Sequence, residues 1–329
     1  MRIIRAVAVA TVATTLLAGC VQGEDTPATG TDATTLRLDY AYYNPASLVL
    51  REQKWLETEL AAKNVTVSWQ LSAGSNKANE ALRADAVDVG STAGAAALVA
   101  RANGSPIKTI DVFSQPEWAA IVVPKGSAIT GVAGLKGKKV AATKGTDPYF
   151  FLLQTLDEAG LEPSDVTVTN LQHADGKAAL ERGDVDAWAG LDPLMATSEA
   201  DAGSKLIYRN IGFNSYGVLN AREAFLAEKP ELAQAVVNAY EKARQWIKDN
   251  PAEAVALYAR EAKISEEVAR TVLTTRTNLD VDPVPGEAQR AVFDEIIPVL
   301  VADANVKTEE AARTAADTLF EPRFAASLS

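Results

Sequence analysis

Three features of the sequence predict an α/β fold. Strand-like and helix-like stretches alternate from Leu36 to about Leu219. Several of the strands run straight into a turn or capping residue that opens a helix. From Ala221 to Phe320 the pattern becomes helical, beginning with "ELAQAVVNAYEKARQWIKDN", and no strand pattern follows. Alternation implies parallel sheets, with right-handed crossovers placing helices on both faces. A helical tail without a sheet of its own is expected to wrap onto a lobe already built. The 329 residues allow two domains or one large one.

The elements follow in order. "LRLDYAYY" (Leu36–Tyr43) is rich in strand formers, and Asn44-Pro45 reads as an N-cap followed by a first-turn proline. The helix behind it carries Leu48, Trp55, Leu56 and Leu60 on one side. Val65–Leu71 alternates apolar and polar residues as a strand does, and Ser75 is a candidate cap for the helix after it. Val87–Thr92 is a short strand that leads into the small-residue helix "AGAAALVARA". Ile107–Phe113 and Trp118–Pro124 are further strands.

"VAATKGTDPYFFLLQTLDEAGL" (Val140–Leu161) compresses strand, turn and helix into one run, with Tyr149, Leu152, Leu153 and Leu156 at i, i+3, i+4 and i+7. Asp147 is expected to cap that helix, ahead of Pro148. Val166–Leu171 is a strand, Asp175–Arg182 a helix, "GDVDAWAGL" a return to the sheet and "KLIYRNI" the next strand. Asp192-Pro193 opens a helix. Asn250, Pro251 and Glu253 form a capping-box pattern in the tail.

The chain begins "MRIIRAVAVATVATTLLAGC": Arg2 and Arg5, an apolar run too short to span a bilayer comfortably, then small residues. Residues 1–19 read as a secretory signal peptide. Its end, "LLAGC", resembles the lipobox of bacterial lipoproteins, which implies cleavage before Cys20 and lipidation of that residue. Residues 20–35 are polar and contain Pro27, Gly23 and Gly30, as expected of a flexible tether. The expected location is outside the cytoplasm, lipid-anchored to the envelope and facing the periplasm or the exterior.

The formal charge is −11. Loss of residues 1–19 would reduce 32 basic residues to 30 against 43 acidic ones, a formal −13. Such a balance excludes an ordinary nucleic-acid binder, which needs a basic face. One cysteine and one histidine exclude a disulfide framework and a Cys/His metal site. No Gly-x-Ser-x-Gly elbow is present, so no catalytic residue is assigned, and no cofactor is expected. The lone histidine, His173, lies in a polar loop and is expected at the surface.

In open α/β sheets ligands bind where strands end and loops enter helices. Candidate loops are Tyr42–Ser47, Ser72–Ser75, Ser91–Gly94, Gly145–Pro148 and Asp192-Pro193. Helix starts leave N–H groups unpaired and carry partial positive charge, so several converging on one crevice make an anion site without lysine or arginine.

"GLKGKKVAATKGTDPYFFLLQTLDEAGLEPSDV", "HADGKAALERGDVDAWAGLDP" and "LSAGSNKANEALRADAVDVGSTAGAAAL" resemble the ABC-transporter substrate-binding proteins for aliphatic sulfonates, taurine and nitrate. The resemblance implies a type II periplasmic-binding-protein fold: two α/β lobes around a cleft, joined by two crossing strands. These would lie near Ile121–Lys125 and Ser215–Asn220. Lobe one would comprise 36–122 and 218–329, and lobe two 123–217.

Implied ligand contacts are Tyr42, Tyr43, Asn44, Gly74, Ser75, Ser91, Thr92, Ala93, Glu117, Trp118, Gly145, Thr146, Trp188, Asp192 and Tyr216. Asp147 joins them as a departure from the family's usual Gly-Ser turn. If it faces the cleft with Asp192 or Glu117, the solute should carry a cationic part, as an amino-sulfonate such as taurine does. The other alternative is that it turns inward onto its own helix. The implied role is solute binding for an ABC importer, by a monomer that serves permease and ATPase subunits. Nitrate, an aromatic acid or a pyrimidine are alternative solutes, and an enzyme of the thiamine-pyrimidine synthase type is the alternative activity.

Overall fold

The computed structural model describes residues 34–328. The signal peptide, Cys20 and residues 20–33 of the expected tether lie outside the described residues. Thr34 and Thr35, expected in that tether, instead begin the first strand, where they face Val65 and Thr66. β-Branched threonines suit such pairing.

The strands are β1 (Thr34–Tyr40), β2 (Val65–Leu71), β3 (Val89–Ala93), β4 (Ile107–Pro116), β5 (Ala119–Val123), β6 (Lys139–Ala142), β7 (Thr167–Asn170), β8 (Ala187–Leu191), β9 (Lys205–Tyr208), β10 (Gly217–Arg222) and β11 (Thr277–Asn278). One sheet has the order β11-β4-β10-β3-β1-β2, and the other β7-β6-β8-β5-β9. β1 to β3 pair in parallel, as do β6 to β8. The strands that flank the crossings run antiparallel to their neighbours, so both sheets are mixed rather than parallel throughout.

The chain leaves the six-stranded sheet between Pro116 and Ala119 and returns between Tyr208 and Gly217. The first passage precedes the expected segment Ile121–Lys125 by a few residues, and the second ends within the expected Ser215–Asn220. An apolar run such as "WAAIVVP" reads alike as a bridge or as the first strand of the next sheet, and here it is the strand β5.

Helices α1 (Pro45–Gln53), α2 (Trp55–Ala61), α3 (Ser75–Arg83) and α4 (Gly94–Ala102) belong to the first sheet; α5 (Asp147–Glu158), α6 (His173–Arg182) and α7 (Leu194–Ala202) belong to the second. The single helix expected from Leu48 to Leu60 breaks at Lys54, which takes a left-handed conformation. The tail comprises α8 (Glu223–Glu228), α9 (Pro230–Asp249), α10 (Pro251–Ala262), α11 (Glu266–Arg270), α12 (Glu287–Ala302), α13 (Glu309–Leu319) and α14 (Arg323–Ala326). A five-residue π-helical turn and the two-residue β11 interrupt it. So short a strand has no readable alternation.

Val236, Tyr240, Tyr258 and Phe324 of the tail share a core with Leu36, Leu38, Leu48 and Leu50 of the first lobe. A second core joins Leu98 of α4 and Ile296, Ile297 and Leu300 of α12 to Phe150 and Leu153 of α5. The tail therefore also reaches the second lobe. At α10, Asn250 does not cap as expected; its Nδ2 donates to Trp246 O and closes the preceding helix instead.

Candidate functional site

A cavity of about 240 Å³ lies between the loops of the two sheets. The six-stranded side supplies Tyr42, Tyr43, Ser72 and Ala73, and the five-stranded side supplies Gln172, His173, Leu191, Asp192, Pro193 and Leu194. Ala262 and Ile264 of the tail close one wall. Most of these side chains are apolar, so the cavity favours a solute with a hydrocarbon part.

Local sequence sets each loop. Asn44 caps α1 by accepting from Ser47 N and is fully buried. Tyr42 accepts from Tyr258 Oη through its carbonyl, and Tyr43 donates from its hydroxyl to Ser91 O. At α3 the cap is Gly74, which has no side chain to accept a hydrogen bond; the expected cap Ser75 is the first helical residue, and its Oγ accepts from Ala93 N. Helices α5 and α6 also start without a side-chain cap, at Thr146 and Gln172. These starts meet across the cleft. A Cβ placed on Gly74 would lie 3.0 Å from His173 Nε2, and one on Gly145 would lie 3.6 Å from Asn76 Cβ.

Gly74 sits at φ +151°, and its Cβ would also fall 2.8 Å from Asn76 Oδ1. Gly74→Ala is therefore expected to destabilise the protein by about 1–3 kcal/mol and to force the two lobes apart at this point. Chemical denaturation with the wild type alongside checks it; a change below about 0.5 kcal/mol would contradict the tight fit.

The carboxylates have other tasks. Asp147 is not the cap of α5. Its buried side chain reaches the two crossings, accepting from Trp118 Nε1 at 2.9 Å, Ser215 N at 2.8 Å and Ser215 Oγ at 2.5 Å. Neither alternative raised for it, facing the cleft freely or folding onto its own helix, is what the chain does. Asp192 lines the cavity but is held by Arg276 Nη1, 3.2 Å from each oxygen, and accepts from Ala196 N. Glu117, at the first crossing, pairs with Arg209.

The remaining expected residues divide. Ser91 donates from N and Oγ to Asp39 Oδ1, and Thr92 Oγ1 accepts from Asn220, both beneath the loops in the sheet. Ala93 is buried at the cap of α4, whose first N–H groups, from Gly94 and Ala95, are taken by Ser215. Trp118 stacks edge-on against Tyr43, centroids 5.8 Å apart, behind the cavity wall. Trp188 is in the core of the second lobe with Val122, Leu180 and Met195, away from the cavity, because its strand is buried on both faces. Tyr216 lines a separate open groove with Gln115, Asn278 and Gln289.

His173 corrects the surface expectation. It is 2% exposed, and burial pushes its pKa down to about 3. Sequence reasoning also missed Gln172, Leu194, Ala262, Ile264 and Arg276. Gln172 and His173 stand directly after a strand, which is a usable signal; the tail residues carried none.

Buried carboxyls set the pH response. Burial raises Asp39 to about 7, Asp111 to about 8 and, against the pull of Arg276, Asp192 to about 6. A carboxyl raised on folding stabilises the fold below its ordinary pKa, and that stability is lost as pH climbs through the folded value. His173 acts in the opposite sense, but only below about pH 6.5. The melting temperature is therefore expected to fall between pH 6.5 and 8.5, and Asp39→Asn to flatten the slope. A rising melting temperature over that range would contradict the assignment.

The family profile described as NMT1/THI5 like matches residues 60–254. An Escherichia coli (strain K12) protein named "Putative aliphatic sulfonates-binding protein" is 28% identical over 254 residues, 77% of this chain and 79% of that one. The alkanesulfonate-binding protein SsuA from Xanthomonas axonopodis pv. citri bound to MOPS superposes with a TM-score of 0.77 at 24% identity, covering 86% of this chain and 97% of that one. The periplasmic aliphatic sulphonate binding protein SsuA from Escherichia coli gives 0.73 at 24%, with the same coverage. The fold is that of the periplasmic binding proteins.

Proposed function

The chain belongs to the NMT1/THI5-like family, and from that premise we propose that it is the extracytoplasmic solute-binding component of an ABC importer. It takes a small sulfonate into the interlobe cleft, alters no bond and presents the closed form to a permease with its ATPase. Residues 1–19 direct export, and a lipid on Cys20 holds the protein to the envelope.

One observation carries the reading: a mostly apolar cavity to which both lobes contribute, beside helix starts without a side-chain cap from both sides. The helix starts suit an anionic head, and the apolar wall suits a hydrocarbon body. Nitrate would leave most of about 240 Å³ empty. Asp147, Asp192 and Glu117 each hold a partner within the chain, so none of the three calls for a cationic group on the solute. A solute that contacts both lobes favours the closed arrangement by its differential affinity for it.

Calorimetry with short alkanesulfonates, nitrate, an aromatic carboxylate and a pyrimidine tests the reading. Saturable heat with an alkanesulfonate and none with nitrate is expected. Binding of the carboxylate or pyrimidine with no response to any sulfonate would overturn it.

A further inference from the structure

Among the described residues, four buried polar atoms beside the cleft have no hydrogen-bond partner: Ser72 Oγ, Asn76 Oδ1, Gln172 Oε1 and His173 Nε2. Ser72, Gln172 and His173 line the cavity. A buried polar atom left unpaired costs free energy, so such atoms in a binding site point to a group that the solute supplies.

The imidazole is the most informative of the four, because its proton can be placed. Thr143 Oγ1 lies 2.7 Å from Leu171 O and 3.1 Å from His173 Nδ1. A hydroxyl has one hydrogen. Only one arrangement puts a hydrogen in both contacts: Thr143 donates to Leu171 O, and His173 Nδ1–H donates to Thr143. Burial keeps the ring neutral, so Nε2 carries a bare lone pair. It can accept and cannot donate. The side-chain-free backbone of Gly74 borders it, and a Cβ there would stand 3.0 Å away.

From this we infer that the solute carries an uncharged hydrogen-bond donor, a hydroxyl, directed at His173 Nε2, and that His173 is a specificity-determining residue of the cleft. An ammonium group would meet the positive ends of α3, α5 and α6, and the one carboxylate that lines the cavity, Asp192, is already paired with Arg276. A hydroxyl meets the lone pair without that repulsion. The inference rests on the sulfonate reading above, and it narrows the solute to hydroxyalkanesulfonates.

Three two-carbon sulfonates separate the possibilities: ethanesulfonate, 2-hydroxyethanesulfonate and taurine differ only in a terminal hydrogen, hydroxyl or ammonium. The hydroxy compound is expected to bind about tenfold more tightly than ethanesulfonate, and His173→Phe to erase the difference. His173 is the sequence's one histidine, so ¹⁵N-histidine labelling of the full chain yields one imidazole. Its Nε2 resonance should show an unprotonated nitrogen in the free protein and move upfield with the hydroxy compound only.

Equal affinity for the first two compounds, or a preference for taurine, overturns the inference while the sulfonate reading stands. A doubly protonated ring in the complex overturns it as well, because the imidazole would then grip the anion instead. If none of the three binds, the sulfonate reading fails and the inference falls with it.

Discussion

Replacing Arg276 with methionine is expected to cost about 3–5 kcal/mol, because it strands a buried carboxylate. Arg276 is 7% exposed and Asp192 2%. The guanidinium reaches both oxygens of Asp192 through Nη1 and Glu199 Oε2 through Nη2 at 2.6 Å. Asp192 directly follows β8 of the five-stranded sheet and Glu199 lies on α7, whereas Arg276 precedes β11, which pairs with β4 of the other sheet. Arg276 O also accepts from Glu117 N at the first crossing. One side chain thus ties the helical tail to the second lobe beside the cavity. At a few degrees per kcal/mol, the melting temperature should fall by roughly 10 °C. Adding Asp192→Asn to Arg276→Met should recover part of the loss, since an amide needs no counter-ion. A cost below about 1 kcal/mol, with no recovery in the double variant, would mean that water already screens the pair.

Arg276 also shows where the sequence stops being readable. The alternation of strand and helix, the helical tail and the loops that build the cleft follow from periodicity and capping chemistry, because these act over a few neighbouring residues. Tyr42, Tyr43 and Asp192 were placed at the cavity from such local signals. Ala262, Ile264 and Arg276 were not, since their part depends on where a helix from the chain's last third comes to rest. Trp188 misled for a related reason. "DAWAGLDP" joins a strand buried on both faces to a cleft loop, and only packing decides which residue is the last inside.

His173 misled because polar neighbours in sequence say little about neighbours in space. Helix α6 turns its first residue inward, while Ala174 and Asp175 remain exposed. Asp147 was legible as a helix-start residue. Its actual partners, 29 and 68 positions away, were not.

Those partners make Asp147 the second site of large effect. Trp118 belongs to the outward crossing and Ser215 to the return. Ser215 in turn accepts from the first two residues of α4, Gly94 N to its carbonyl at 2.7 Å and Ala95 N to its hydroxyl at 2.8 Å. A single carboxylate therefore connects the start of α5 in one lobe, both crossings and the start of α4 in the other. Asp147→Ala leaves an indole N–H and a backbone N–H buried without an acceptor and frees the Ser215 hydroxyl. At about 1–3 kcal/mol for each group stranded, a loss of at least 3 kcal/mol is expected. Asp147→Asn keeps one acceptor oxygen and should lose roughly half as much. Urea unfolding resolves the two variants as shifts in midpoint at constant slope. Because the same network fixes the relative placement of the lobes, Asp147→Ala should also weaken solute binding, although no solute atom need touch it. Full affinity together with a stability loss under 1 kcal/mol would show that the crossings are held by their strands alone.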